Sequence, residues 1–267
     1  MVAPAGNAPH HVLVGTLLFD DAAAARLESM YTTSEAVTQR REVRALLDAR
    51  AGERVLDIGV GPGFLASELA GMGVEVVGLD VSEAVLALAR RRFAVDGVIV
   101  ELVVGDCTAL PFPDGTFDAV VAVQVLEFVD DVRTALREAA RVLRPGGRLL
   151  VVDTDIDSRV WPPAHDQDRA SRVLKVWDEH APHPHLPRDL PRLLQEAGLT
   201  VVKQRSLTLA GDGSDPGTFG YRMADLVADY VIAHGIAADE ARAWLDDLRS
   251  PPDVWMSLDR SLCLATS

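Results

Sequence analysis

From residue 54 onward, apolar runs of about six residues alternate with amphipathic stretches of about ten to fifteen. Short uninterrupted apolar runs suit strands covered on both faces, and the stretches between them suit right-handed helical crossovers. The pattern therefore predicts an α/β fold on a parallel sheet, with strands near 54–58, 74–79, 98–104, 117–123 and 148–153. The intervening helices have readable ends. Thr33 caps a helix whose Val37, Val43, Leu46 and Leu47 recur at helical spacing, and Gly52 ends it. Ser82 caps a second that closes on Arg90, Arg91 and Arg92, cations suited to the negative end of a helix dipole. Asp130 or Asp131 starts a third, whose stripe Val132, Ala135, Leu136, Ala139, Val142 and Leu143 is stopped by Pro145-Gly146-Gly147.

Elsewhere the rhythm breaks. Residues 1–19 lack a period and read as an arm over the rest, and Asp20 or Asp21 caps a short Ala-rich helix. Residues 155–187 carry Pro162, Pro163, Pro182, Pro184 and Pro187 and read as a loop insertion. A helix near 189–197 and a strand near 200–209 restore the pattern. The Gly/Asp-rich stretch 211–217 then leads to helices near 219–234 and 238–249, and to a last apolar run, Trp255 to Ala265.

The chemistry begins where the first strand, Val55-Leu56-Asp57-Ile58, runs into Gly59-Val60-Gly61-Pro62-Gly63. Such a strand-to-helix turn lets a nucleoside approach bare backbone. Position 64, where a dinucleotide fingerprint has its third glycine, is Phe64. Asp80 closes the second apolar run, where a carboxylate can accept both hydroxyls of a ribose, and Gly105-Asp106-Cys107 closes the third. A ligand-free tight turn explains the glycines alone but not the polar strand ends that follow. Asp57 lies inside an apolar strand, so its carboxylate is expected to meet the loop amides or the ammonium of a ligand.

Five segments in order, VLDIGVGPG, VVGLDVS, GDCTALPFPDGTFDAVV, QVLEFVDD and RVLRPGGRLL, resemble the class I S-adenosylmethionine-dependent methyltransferases of the ubiquinone/menaquinone-biosynthesis and small-molecule type. The resemblance covers residues 30–155, with one departure at Val60, where relatives often carry a small residue or cysteine. It implies S-adenosyl-L-methionine as cofactor, its methionine end on Asp57, Gly59, Gly61 and Gly63, its ribose on Asp80 beside Val81, and its adenine flanked by Asp106 and Cys107. It also implies a Rossmann-like, doubly wound, mostly parallel seven-stranded sheet with an antiparallel last strand and helical lid insertions. The division expected is a helical arm at 1–50, a cofactor-binding core at 51–210 interrupted at 155–187, a helical lid at 211–254 and a final core strand at 255–267.

Composition narrows the partners. A chain of 267 residues that is 48% hydrophobic buries a large core in one domain with a lid. A formal charge of -14 and a pI near 4.8 leave no basic footprint for a phosphate backbone, so a small-molecule acceptor is expected and nucleic acid is not. Cys107 and Cys263 lie far apart without metal-ligand spacing, which fits a reducing compartment. Residues 1–10 lack a basic signal-peptide region and no apolar run is long enough to span a bilayer, so a cytoplasmic location without membrane insertion is expected.

The remaining candidates each have a plainer alternative. Gln124 ends the fourth strand on the ligand-binding edge of the sheet and is placed at the cofactor or the acceptor. Tyr31 closes over the cofactor or simply anchors its helix. Glu127 is a candidate general base, or a solvated carboxylate at a helix start. His165 is the other candidate base, and His185 and Tyr221 are placed with Trp161 around an apolar or aromatic acceptor. Trp177 and Trp244 read as lid anchors. His180, His183 and His185, with His165, Asp166 and Asp168, match no metal-binding spacing, so no metal is expected. A sulfonium methyl is already electrophilic, so transfer depends mainly on holding an acceptor in line with it. Two other functions share these signals: a nicotinamide-dependent oxidoreductase, disfavoured by Phe64, and a non-catalytic binding protein on the same fold.

Overall fold

The computed structural model describes residues 28–162, 164–250 and 255–267. The expected N-terminal arm and the cap at Asp20 or Asp21 lie outside the described residues. Seven strands form one sheet: β1 (Arg54–Ile58), β2 (Glu75–Asp80), β3 (Glu101–Val104), β4 (Phe117–Val123), β5 (Leu143–Thr154), β6 (Thr200–Asp212) and β7 (Trp255–Thr266). Their order is β3-β2-β1-β4-β5-β7-β6; β7 runs antiparallel to both neighbours, and the other pairings are parallel. The expected Rossmann-like sheet with an antiparallel last strand is the fold observed.

Helices α1 (Ser34–Leu47), α2 (Phe64–Gly71) and α3 (Glu83–Asp96) cover one face, burying Val43, Leu47, Leu69, Leu86 and Phe93 against Val55, Val121 and Leu150. Helices α4 (Val132–Val142) and α6 (Leu186–Glu196) cover the other, against Leu56, Ile58, Val120 and Leu149. Alternation along β1 therefore sends Asp57 to the α1 face. The hydroxyl of Thr33 accepts from the Ala36 amide, that of Ser82 from Val85, and the Asp131 carboxylate from Thr134, so three of the expected caps are in place.

Several boundaries differ from expectation, each for a local reason. α1 ends at Leu47 because Asp48 turns left-handed (φ 48°), and Gly52 belongs to the following turn. Val37 is exposed; its helix instead turns Ala36, Gln39, Arg40 and Val43 inward, with Arg40 held by Glu68 and the Tyr31 carbonyl. α3 runs past its three arginines to Gly97, the first residue that takes the left-handed cap cheaply. α4 stops at Val142, and Leu143 already pairs with Phe117, so Pro145-Gly146-Gly147 forms an irregularity within β5. β3 is shorter than expected because it is an edge strand that pairs with β2 only from Glu101 onward; in its approach Val98 and Val100 pack on the core while Ile99 is exposed.

The 155–187 segment is not a simple loop: it holds α5 (Gln167–Asp178), capped by Asp166. α5 packs with α7 (Phe219–Ala233) and α8 (Ala238–Arg249) through Val173, Trp177, Val227, Val231, Trp244 and Leu248, a third core separate from the two against the sheet. Among the described residues no helix is long and apolar enough to cross a membrane.

Candidate functional site

The strand order reverses between β1 and β4, so the loops leaving their carboxyl ends diverge and open a crevice. There a cavity of about 300 Å³ runs from the glycine loop to the α5–α7–α8 cluster. Its first half is lined by Asp57, Gly59, Gly61, Asp80, Val81, Asp106 and Cys107, with Tyr31 and Gln124 at its sides. Its second half is lined by Phe128, Trp161, Trp177, Phe219, Met223 and Met256.

The loop is held by its neighbours. Gly59 and Val60 amides donate to the Leu79 carbonyl at 2.7 and 3.0 Å, tying the turn to β2. Gly59 has φ 66°, and a Cβ there would lie 2.3 Å from Val125 Cγ2, so both backbone and space demand glycine. Asp80 accepts from the Gly61 amide at 3.2 Å and from Ser82 at 2.9 Å. Burial nonetheless holds its carboxyl above the usual range. Asp106 Oδ1 accepts from the Thr108 amide at 2.8 Å, while burial and then Asp106 itself push the Cys107 thiol up to about 12, keeping it neutral.

Asp57 is different. It is 3% exposed, and no described residue donates to its carboxyl. Burial, reinforced by the Asp80 charge, raises it to about 8. An orphaned acid in a ligand-sized cavity fits a group that brings a cation, as the ammonium of S-adenosylmethionine does. Tyr31 stacks on Phe64 with centroids 5.4 Å apart, and the Arg92 guanidinium lies 3.3 Å from the centroid of the same ring, so Phe64 covers the loop where a third glycine would leave it open.

At the junction of the two halves, Gln124 takes φ 56°, rare for a residue with a Cβ, and its Nε2 reaches Thr154 Oγ1 at 3.4 Å. Glu127 is not the solvated helix-start carboxylate that was one alternative: it is 3% exposed, with its oxygens on the Thr154 amide (2.9 Å) and hydroxyl (3.4 Å). Burial raises its pKa and the nearby Arg260 opposes the rise. Arg260 on β7 donates through Nη1 to Thr154 Oγ1 and is 1% exposed. Arg260 escaped the sequence reading, although its signal was present: Met256, Leu258, Arg260 and Leu262 share one parity of β7, and a lone arginine interrupts an apolar row.

Four expected site residues stand apart from this cavity. Gly63 has φ 81° and a Cβ there would meet the Phe93 ring at 2.7 Å; it is the helix-entry residue of α2 rather than part of the lining. His165, its side chain 74% exposed, pairs with Asp247 of α8 at 2.5 Å, away from the cavity lining. His185 lies 3.6 Å from both Asp155 and Asp157, carboxylates that Arg188 already clasps at 2.8 and 2.9 Å. Tyr221 turns its ring to Arg249, 3.5 Å from the centroid. The histidines do not converge: His180 stacks on Trp177 at 3.8 Å and burial lowers it to about 4, while His183 Nε2 faces the Asp130 carbonyl. Trp177, expected as an anchor, is both anchor and cavity wall; Trp244 is anchor alone, packed edge-on to Trp161.

Comparison with known proteins points the same way. A methyltransferase-domain family profile matches residues 56–151. O-methyltransferase rstn1 of Aspergillus nomiae is 34% identical over 178 residues, covering 64% of this chain and 76% of that protein. Demethylmenaquinone methyltransferase of Corynebacterium efficiens is 43% identical over 114 residues, 43% of this chain and 47% of the relative. The chain spans 47–66% of the length of the first four curated relatives it matches. Phosphoethanolamine N-methyltransferase 2 of Haemonchus contortus, solved with S-adenosyl-L-methionine, shares the fold at a TM-score of 0.67 and 16% identity, over 98% of this chain and 60% of that one.

Proposed function

Because the chain belongs to the class I S-adenosylmethionine-dependent methyltransferases, we propose that it moves a methyl group from S-adenosyl-L-methionine to an apolar or aromatic small molecule of natural-product or quinone-like type. One observation carries this reading: a single cavity joins the glycine loop to an aromatic chamber under α5, α7 and α8. The names of the relatives, an O-methyltransferase and a demethylmenaquinone methyltransferase, support the same class of acceptor.

When bound, the cofactor supplies a methyl group on a positively charged sulfur. The chain's own residues bind, aim and exclude water. Asp57 takes the ammonium, Asp80 the ribose hydroxyls, and Val81, Asp106 and Cys107 flank the base, with Tyr31 closing from the α1 side. Trp161, Trp177, Phe219 and Met256 wall the acceptor. Glu127, raised by burial, accepts the acceptor's proton when the nucleophile enters protonated. His165 and His185, outside the cavity, take no part in this reading. The helices of the third core act as the lid, and the reaction runs in the cytoplasm without nucleic acid.

Calorimetry with S-adenosylhomocysteine and with NADH tests the cofactor half, and transfer of labelled methyl to a panel of phenols, quinols and amines tests the acceptor half. Binding of S-adenosylhomocysteine and transfer to an aromatic member are expected. Tight NADH binding without S-adenosylhomocysteine binding would overturn the reading.

A further inference from the structure

Arg260 stands where β5 stops. Its rung pairs with Thr154, the last residue of β5; beyond it β7 stays paired with β6 and on its other side meets the 155–187 segment, through the Val160–Ser257 bridge and the Asp259 amide on Ser158 Oγ. The side chain follows Met256 and Leu258 on the cavity-facing row, and all three residues line the cavity. One guanidinium nitrogen, Nη1, is spent on Thr154 Oγ1. The other two, Nε and Nη2, are buried and have no partner. These two form one edge of the guanidinium, the fork that grips a pair of oxygens side-on.

Leaving that edge buried and unpaired is costly, a cost that leucine or methionine at this position would avoid. The neighbouring acids do not discharge it. Glu127 has both oxygens on Thr154, and Asp153 accepts from the Val125 amide at Oδ1 (3.1 Å) while its Oδ2, also buried, makes no hydrogen bond to Arg260; burial raises the pKa of both acids, favouring their neutral forms. Other unpartnered donors belong to the same chamber: Trp161 Nε1, and Nη1 of Arg159, whose Nε serves the Ile156 carbonyl and whose Nη2 serves Asp178. The acceptor half thus combines flat apolar walls with donors that lack acceptors.

We propose that the Nε/Nη2 edge of Arg260 binds an ionised oxygen of the acceptor together with the oxygen beside it, so that the acceptors are planar ring compounds bearing adjacent oxygens of which one is anionic. Thr154, accepting from Arg260 and donating to Glu127, is the positioning residue that fixes the fork. This deepens the methyltransferase reading and rests on it.

Two probes of one shape isolate the anion. 2-Hydroxy-1,4-naphthoquinone is ionised at neutral pH and carries its oxygens side by side, whereas 2-methyl-1,4-naphthoquinone replaces the anionic oxygen with a methyl group. Calorimetric titration of both into the full chain saturated with S-adenosylhomocysteine is expected to show at least tenfold tighter binding of the hydroxy compound. Arg260→Met should bring the two within threefold of each other, and Arg260→Lys, which keeps the charge but not the fork, should retain part of the preference. S-adenosylhomocysteine affinity should stay within threefold in every variant, which also reports that the fold is intact. Equal binding of the probes by the unaltered protein, a preference that survives Arg260→Met, or binding of neither probe would each overturn the proposal; the first and last need no variant to fold. Failure of the unaltered protein to bind S-adenosylhomocysteine would instead sink the methyltransferase reading.

Discussion

Replacing Asp57 by Asn separates what the cavity costs from what it binds. The Asp57 carboxyl moves from 3.8 to about 8 on folding, and each unit is worth about 1.36 kcal/mol. An acid raised in this way stabilises the fold fully below its unfolded value and loses that contribution as pH rises toward its folded value. Between pH 5 and pH 8 the ligand-free protein should therefore lose about 3–4 kcal/mol that Asp57→Asn does not lose, measured as the difference between their urea-unfolding free energies at each pH. Ligand binding reverses the balance. An ammonium beside Asp57 favours the carboxylate, so at pH 6.5 binding of S-adenosylhomocysteine should release close to one proton, read as a dependence of calorimetric heat on the ionisation enthalpy of the buffer. The Asn variant should show no such release and weaker binding, by about tenfold or more. Parallel pH profiles for the two proteins, or proton release that persists in Asp57→Asn, would refute the assignment of an orphaned acid.

Four further outcomes are expected. Asp80→Ala should weaken S-adenosylhomocysteine binding by about tenfold or more in calorimetry while costing only about 1 kcal/mol in unfolding, because the two amides it accepts from are only part-buried and removing a burial-strained carboxyl offsets their loss. Gly59→Ala should destabilise by about 2–4 kcal/mol through its 2.3 Å approach to Val125 and its φ of 66°, and Val125→Ala should restore only the steric part in thermal melts. Trp161→Ala should lower acceptor turnover at least tenfold with donor affinity within about threefold, since it lines the aromatic half alone. His165→Ala should leave kcat within about twofold, because its 74% exposed side chain meets Asp247 outside the cavity; a large loss with donor binding intact would restore it as the base.

The parallel half of the fold was legible because its signals are local. Apolar runs, Thr33, Ser82 and Asp131 as caps, and the glycine turn all act within a few residues. The same locality exposed Asp57, Asp80 and Asp106. What escaped depends on contacts distant in sequence. Helix α5 was hidden by prolines on both sides, although Asp166 capped it and Val173 and Trp177 marked its apolar face. His165 and Tyr221 looked available as polar or aromatic residues near loops, yet Asp247, 82 residues away, and Arg249 had claimed them. Arg260 was missed for the converse reason. Its position in an apolar row becomes informative only once β7 is known to sit between β5 and β6, facing Thr154 and Glu127.

Helices α7 and α8 are inserted between β6 and β7, two strands that lie side by side along nearly their whole length. Both ends of that insert leave from one hairpin, so its roof can be exchanged as a cassette without re-threading the sheet. The floor beneath stays with the strands, as does the glycine loop after β1. On the proposed reading, new recipients can therefore be sampled by grafting residues 213–254 from a relative, with the graft chosen to seat on Val173 and Trp177 of α5, which stay behind with the rest of the chain.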